Sequence, residues 1–211
     1  MSSRPAGVIP YYVFPNGTIL FLLQLNLSTN GRQNGWSDFG GKPDPLRKYD
    51  GRNRGESSEE TAVREMLEEL GCLPAVRPDS KLYGLLARRS SYGPVQKQLV
   101  ENIIRSRVPL LTNNLTSRTS RVNSNKKLAL SAREQYKIYF YRLEHYLPIE
   151  DIPPYEDMHI DYSFRHKREC RWFTIEQLRD MDVNDYHMRL RIAGVGRRLP
   201  AIYRQGLLVQ S

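Results

Sequence analysis

The spacing of apolar and polar positions divides this chain into short, contrasting segments. "GVIPYYVF" and "TILFLLQL" are rich in β-branched and aromatic residues, and "PNG" between them is a turn signal, so both read as strands. "GWSDFG" reads as a third strand. The pattern then becomes helical over roughly Ser58 to Leu70, with Ser57 and Glu60 spaced as a capping box and Gly71 as the stop. "KLYGLLARR" and "EQYKIYFYRLEHY" predict two further strands. "ECRWFTIEQLRD" predicts a strand turning into a short helix, with Thr174 as N-cap. From about Asp185 to Tyr203 the pattern is helical, with Met188, Leu190, Ile192 and Val195 available for packing. Between the middle strands, "PVQKQLVENIIR" has helical periodicity through Val95, Leu99 and Ile103, and the polar "TNNLTSRTSRVNSNKK" predicts a loop. There is no internal repeat. Strands interleaved with two main helices predict an α/β or α+β domain with a mixed sheet, one domain over residues 1–211.

The first helix has two unlike faces. At 100° per residue, Glu65, Glu68 and Glu69 fall within an arc of about 100°, while Ala62, Val63, Met66, Leu67 and Leu70 take a separate apolar arc. Like charges at helical spacing repel by a few tenths of a kcal/mol per pair, so this face needs either plain solvent or a compensating cation. Hard divalent cations such as Mg²⁺ take such oxygen clusters, above all where a substrate's phosphates complete the octahedron. Arg64 is expected to point away from the carboxylate arc, toward Glu56 where the chain enters the helix, and to pair with it.

Composition changes the picture in one respect. The net charge of +9 favours anionic partners: nucleic acid, nucleotides, inositol phosphates or an acidic membrane surface. Residues 93–135 hold eight Lys or Arg against two acids, so +6 of that charge lies there. No apolar run approaches the 20 or so residues that cross a bilayer, and "MSSRPAGVIPYY" lacks the pattern of a secretion signal. Cys72 and Cys170 form no CxxC pair and imply no disulfide framework. An intracellular, cytoplasmic protein without membrane partner is therefore expected, in which the sequons at Asn16, Asn26 and Asn114 are chance matches. The composition names no oligomeric state.

From Glu56 the chain runs Glu, seven residues, Arg64-Glu65, apolar Met66, one residue, Glu68-Glu69, one residue, Gly71, apolar Cys72. This resembles the Nudix box, in which Gly, five residues, Glu, seven residues and Arg-Glu precede an aliphatic residue, Glu-Glu and a second Gly. "WSDFGGK" resembles the strand and Gly-Gly-Lys that lead into that box, and "ECRWFTIEQL" the family's late strand and short helix. The resemblance runs from about Gly7 to Asp180. It implies a Nudix-type α/β/α sandwich with a mixed β-sheet that hydrolyses a diphosphate linkage, typically in a nucleoside diphosphate joined to another group. Carried over by position, it makes Glu65, Glu68 and Glu69 metal-binding carboxylates for Mg²⁺ or Mn²⁺. Glu56 and Arg64 become an orienting pair, and the Gly41 carbonyl a further ligand. For the general base outside the box, Glu169 is the first candidate and Glu134 the second; Glu169 reads equally as a solvent-facing strand residue.

One departure stands out. Fourteen residues separate Gly41 from Glu56 where the pattern has five, a nine-residue insertion that puts Asp50 where the box glycine belongs. Residues 42–55 carry five basic and two acidic side chains. Lys42, Arg47, Lys48, Arg52 and Arg54 are thus candidate phosphate-binding residues, or simply the charges of a solvated loop. His145, His159, His166 and His187 show no metal-ligand spacing. Tyr11, Tyr12, Trp36 and Tyr92 are available either to stack on a base or to pack. For a hydrolase two substrate classes fit, a nucleoside-diphosphate-linked molecule such as capped RNA or a diphosphoinositol polyphosphate; the rival reading is a non-catalytic module that binds RNA or a nucleotide.

Overall fold

Alternation along the first strand sends its side chains into two different cores. In β1 (Ala6–Val13), Ala6 and Val8 join one buried cluster, while Ile9 and Tyr11 join another on the opposite face. β2 (Ile19–Asn26) divides in the same way, Leu22 to the first and Phe21 and Leu23 to the second. Successive strand residues face opposite ways, so a sheet with both faces apolar must be covered on both. The computed structural model describes residues 4–26, 34–43, 55–70, 92–106, 108–114, 135–152 and 169–209.

β1 lies at the centre. One of its edges pairs in parallel with β6 (Gln135–Arg142), from Ala6 opposite Lys137 to Tyr11 opposite Arg142. Its other edge is divided. Tyr11–Val13 pair antiparallel with β2, and Ala6–Val8 with β4 (Phe39–Gly41). β2 in turn pairs with β3 (Gly35–Ser37) beyond the point where it leaves β1, and with β7 (Glu169–Thr174) along its far edge. β3 and β4 thus fill the fork where β1 and β2 diverge. β5 (Leu111–Asn114) completes the described sheet as the antiparallel partner of β6.

Helices α1 (Ser58–Leu70) and α2 (Tyr92–Arg105) cover one face, packing Met66, Leu67, Leu99 and Ile103 with Val8, Leu22 and Phe39. Helices α3 (Ile175–Asp180), α4 (Met188–Ala193) and α5 (Val195–Arg204) cover the other, where Leu178, Leu190 and Leu199 pack with Ile9, Phe21 and Ile138. The architecture is the expected α/β/α arrangement with a mixed sheet. No helix among the described residues is long and apolar enough to cross a membrane.

Three expectations need correction. "GWSDFG" is two strands, because the chain switches partner from β2 to β1 at Asp38. The polar tract does not begin as a loop: Thr112, Asn113 and Asn114 lie in β5, where ladder bonds to β6 outweigh a polar composition. The tail is not one helix. Residues 185–187 run beside β3, with Trp36 N–H donating to the Asp185 carbonyl (2.7 Å) and His187 N–H to the Trp36 carbonyl (2.9 Å). Gly194, at φ 66°, then separates α4 from α5. On so short a helix Leu190 and Ala193 take the inward side, leaving Ile192 exposed. The strand expected at "KLYGLLARR", the insertion at 43–54 apart from residue 43, and most of 93–135 beyond α2 and β5 lie outside the described residues.

Candidate active site

α1 begins with the expected capping box: Glu60 N–H donates to Ser57 Oγ (3.2 Å) and Ser57 N–H to the Glu60 carboxylate (2.7 Å). One residue earlier, Glu56 has a fully buried carboxylate, which takes a bond from Arg64 Nε (2.8 Å) and another from Thr61 Oγ1 (3.2 Å). A buried carboxylate needs such partners, and the expected Glu56–Arg64 pair is present. The rest of Arg64 corrects the expectation. Its guanidinium does not turn away from the carboxylate arc, because the fork is broad enough to reach both ways. Nη1 meets Glu68 (2.7 Å) and Nη2 meets Glu65 (2.9 Å), while Nη2 also donates to the Lys42 carbonyl (2.8 Å). Arg64 thereby ties the end of the glycine strand to the helix.

Glu65, Glu68 and Glu69 are half-buried on α1, whereas the apolar arc from Ala62 to Leu70 is fully buried. Glu69 accepts a bond from Gln24 Nε2 (2.5 Å), which also donates to the Asp38 carbonyl (2.9 Å). Among the described residues no three carboxylates, imidazoles or thiols are grouped as a ready-made metal cage, and Arg64 pairs with two of the three glutamates. Their donor chemistry nonetheless suits a hard divalent ion, because Mg²⁺ takes one or two carboxylates, retains waters and relies on substrate phosphates. Glu65 shows the unmet need for positive charge. Burial pushes its carboxyl up to about 7; Arg64 opposes this, but the nearby Glu69 and Glu68 charges add to it.

The two glycines of β4 face opposite layers. A Cβ on Gly41 would lie 2.5 Å from Glu65 Cδ, whereas one on Gly40 would collide with the Tyr136 hydroxyl and lie 2.6 Å from the Ala6 carbonyl oxygen. Behind the strand sits a buried polar cluster. Tyr136 donates to Asp38 (2.7 Å), and Ser37 Oγ contacts the same carboxylate (3.1 Å). Arg189 on α4 places its Nε 3.6 Å from Asp38. Its Nη1 donates to the Gly40 carbonyl (2.6 Å) and the Tyr136 hydroxyl (2.9 Å), and its Nη2 to Ser37 Oγ (2.9 Å). His187, pushed down to about 4 by burial and then by the Arg189 charge, stays neutral and accepts from Arg189 N–H (3.3 Å) as the cap of α4.

No family model matches the chain. An uncharacterized protein of Acanthamoeba polyphaga mimivirus is 30% identical to it over 218 aligned positions, covering 97% of this chain and 67% of that protein. The chain belongs to that viral protein's family. Solved structures similar to this member of the mimivirus-protein family include a Nudix hydrolase from M. smegmatis, RenU, at a TM-score of 0.45 and 19% identity, covering 96% of this chain and 87% of that one. NrtR of Shewanella oneidensis matches at a TM-score of 0.39 and 12% identity, over 98% and 64% of the two chains. The MutT protein of Methanosarcina mazei Go1 matches at 0.38 and 16%, over 95% and 99%.

In this family member, then, Glu56, Arg64, Glu65, Glu68, Glu69, Gly41 and Lys42 come together at one place. Arg47, Lys48, Arg52, Arg54, Glu134 and Gly71 lie outside the described residues. Glu169 stands exposed at the start of β7, opposite Leu25, and strand alternation puts it on the side of Phe173, away from α1. Tyr11 is fully buried in the core and has no face for a base, because its strand position points into the α3–α5 layer. Trp36 packs edge-on against Phe173 (4.8 Å), and Tyr12 against Phe14 (4.9 Å). Sequence reasoning missed Gln24, Asp38, Tyr136 and Arg189. Asp38 inside an apolar strand was the available signal, since a buried acid demands a partner.

Proposed function

We propose that the protein is a divalent-metal-dependent Nudix hydrolase that cleaves a diphosphate linkage in a nucleoside-diphosphate-linked substrate, capped RNA being the first choice. One observation carries this reading: the box spacing folds into a helix whose Glu56-paired Arg64 also holds Glu65 and Glu68, with Glu65 against Gly41 and Glu69, on the same helix, held by Gln24. A bound Mg²⁺ or Mn²⁺ would neutralise the diphosphate and acidify a water. Glu65, Glu68 and Glu69 would hold that ion, with the Gly41 carbonyl as a further ligand. Arg64 then fixes two of the carboxylates and the strand end in one frame. In the reaction a water oxygen would form a bond to phosphorus as its proton passes to solvent, the bridging P–O bond would break, and the departing phosphate would carry away the electron pair.

Charge supports a phosphate-rich substrate. Arg191, Arg197, Arg198 and Arg204 are exposed on α4 and α5, and no acidic residue occurs between Tyr186 and Ser211. Lys42, Arg47, Lys48, Arg52 and Arg54 extend that character beside the glycine strand in sequence. The test is a screen of capped RNA, dinucleoside polyphosphates, nucleotide sugars, nucleoside triphosphates and diphosphoinositol polyphosphates with Mg²⁺ or Mn²⁺. Metal-dependent release of phosphate products is expected, and the paired change Glu68→Gln with Glu69→Gln should abolish it. Unchanged turnover in that double variant would refute the assignment. RNA binding should also weaken steeply with salt as counterions are released; a flat salt profile argues against RNA.

A further inference from the structure

The buried guanidinium of Arg189 has no counterpart in the box motif, yet it grips the strand on which the proposed metal site depends. α4 belongs to the layer opposite α1, so Arg189 approaches the glycine strand from behind the carboxylates. It is well placed to do so because residues 185–187 are tied to β3 by the two Trp36 backbone bonds. The fork then spans the break between β3 and β4, with Nη2 on Ser37 Oγ before it and Nη1 on the Gly40 carbonyl after it. Tyr136 adds a second acceptor for Nη1, and its ring centre lies 5.0 Å from the guanidinium carbon. Asp38, at the break itself, supplies the countercharge.

From the other layer, Arg64 holds the Lys42 carbonyl. The carbonyls on either side of Gly41 are therefore each taken by a guanidinium, one from each helical layer. We propose that Arg189 is a positioning residue for the metal site: its planar fork sets the Gly40–Gly41 peptide, and so the place of the Gly41 carbonyl and of Glu65 packed against Gly41. A lysine ammonium carries the same charge but cannot span Ser37, Gly40 and Tyr136 in one plane. This inference rests on the metal-hydrolase reading above.

The test uses the full chain with Mn²⁺ as probe, free ion being followed by electron paramagnetic resonance, alongside metal-free thermal melting. Wild-type protein should bind Mn²⁺ and the Glu68→Gln, Glu69→Gln protein should not; absence of binding by the wild type would defeat the metal-hydrolase reading itself. Given that binding, Arg189→Lys and Arg189→Gln should each weaken Mn²⁺ affinity by roughly 10- to 100-fold, as loss of an outer partner of a metal ligand does. In the turnover assay kcat should fall with KM little changed. Ser37→Ala and Tyr136→Phe, which each remove one acceptor, should give smaller losses in the same direction. Wild-type Mn²⁺ affinity in folded Arg189→Lys, or a lowered melting temperature with affinity intact, overturns the proposal. If neither Arg189 variant folds, unchanged affinity in both Ser37→Ala and Tyr136→Phe overturns it, and weakened affinity sustains it.

Discussion

Glu65 is a carboxylate whose surroundings oppose its charge in the metal-free protein. Its folded value of about 7 stands above the ordinary 4.5, so its charge is a burden at neutral pH. Glu65→Gln should raise the stability of metal-free protein at pH 8 by about 1–3 kcal/mol, given 1.4 kcal/mol per pKa unit, while abolishing metal-dependent turnover. Urea titration and the substrate screen check the two halves. Glu56 has the opposite balance: its fully buried carboxylate is matched by Arg64 and Thr61. Glu56→Ala leaves Arg64 Nε without its acceptor in the interior, although Glu65 and Glu68 still face the guanidinium, and should cost about 1–3 kcal/mol by the same titration. Both residues were legible in the sequence, because a pair eight positions apart at a helix entrance is a local matter. The reach of Arg64 across to Glu65 and Glu68 was not, since side-chain direction depends on what fills the other side of the fork.

The glycine strand shows why one element needs two adjacent glycines. Gly40 and Gly41 both lack the positive φ that would call for glycine on backbone grounds; crowding from the two layers is the reason. Gly40→Ala would drive a methyl against the fixed Ala6 carbonyl, and Gly41→Ala against the more adjustable Glu65 side chain. The former should cost more stability, about 2–4 kcal/mol, and the latter should act chiefly on metal affinity. Melting curves with and without Mn²⁺ separate the two effects. Among the elements, the strands that alternate cleanly and the capped helices α1 and α3 could be read from the chain, including Thr174 as N-cap, to which the structure adds Gln177 as its partner. β5 and the strand-like stretch at Asp185–His187 could not, because their partners are distant in sequence and polarity alone does not exclude pairing.

For the molecule as a whole, two titrations pull stability in opposite directions. His187 falls from 6.5 to about 4 on folding, so the unfolded chain binds more protons between those values. Stability from this group is complete above pH 6.5 and is lost as pH drops toward 4. Glu65 is raised, so in metal-free protein its contribution worsens as pH climbs from 4.5 to 7. Denaturant midpoints from pH 4 to 8 should show a smaller acid-side loss in His187→Asn, whose amide can still cap α4, and a smaller decline toward neutrality in Glu65→Gln. The strand and helix pattern showed an α/β or α+β domain with a mixed sheet and the motif resemblance implied the α/β/α plan, but neither showed the joining of the two layers through Arg189. Gly40 and Arg189 are 149 residues apart. At a synthesis rate of about 5–20 residues per second, that separation amounts to something on the order of ten seconds on the ribosome. The carboxylate helix therefore emerges well before the arginine that holds its neighbouring strand, and a newborn chain is expected to lack an assembled site until α4 is out.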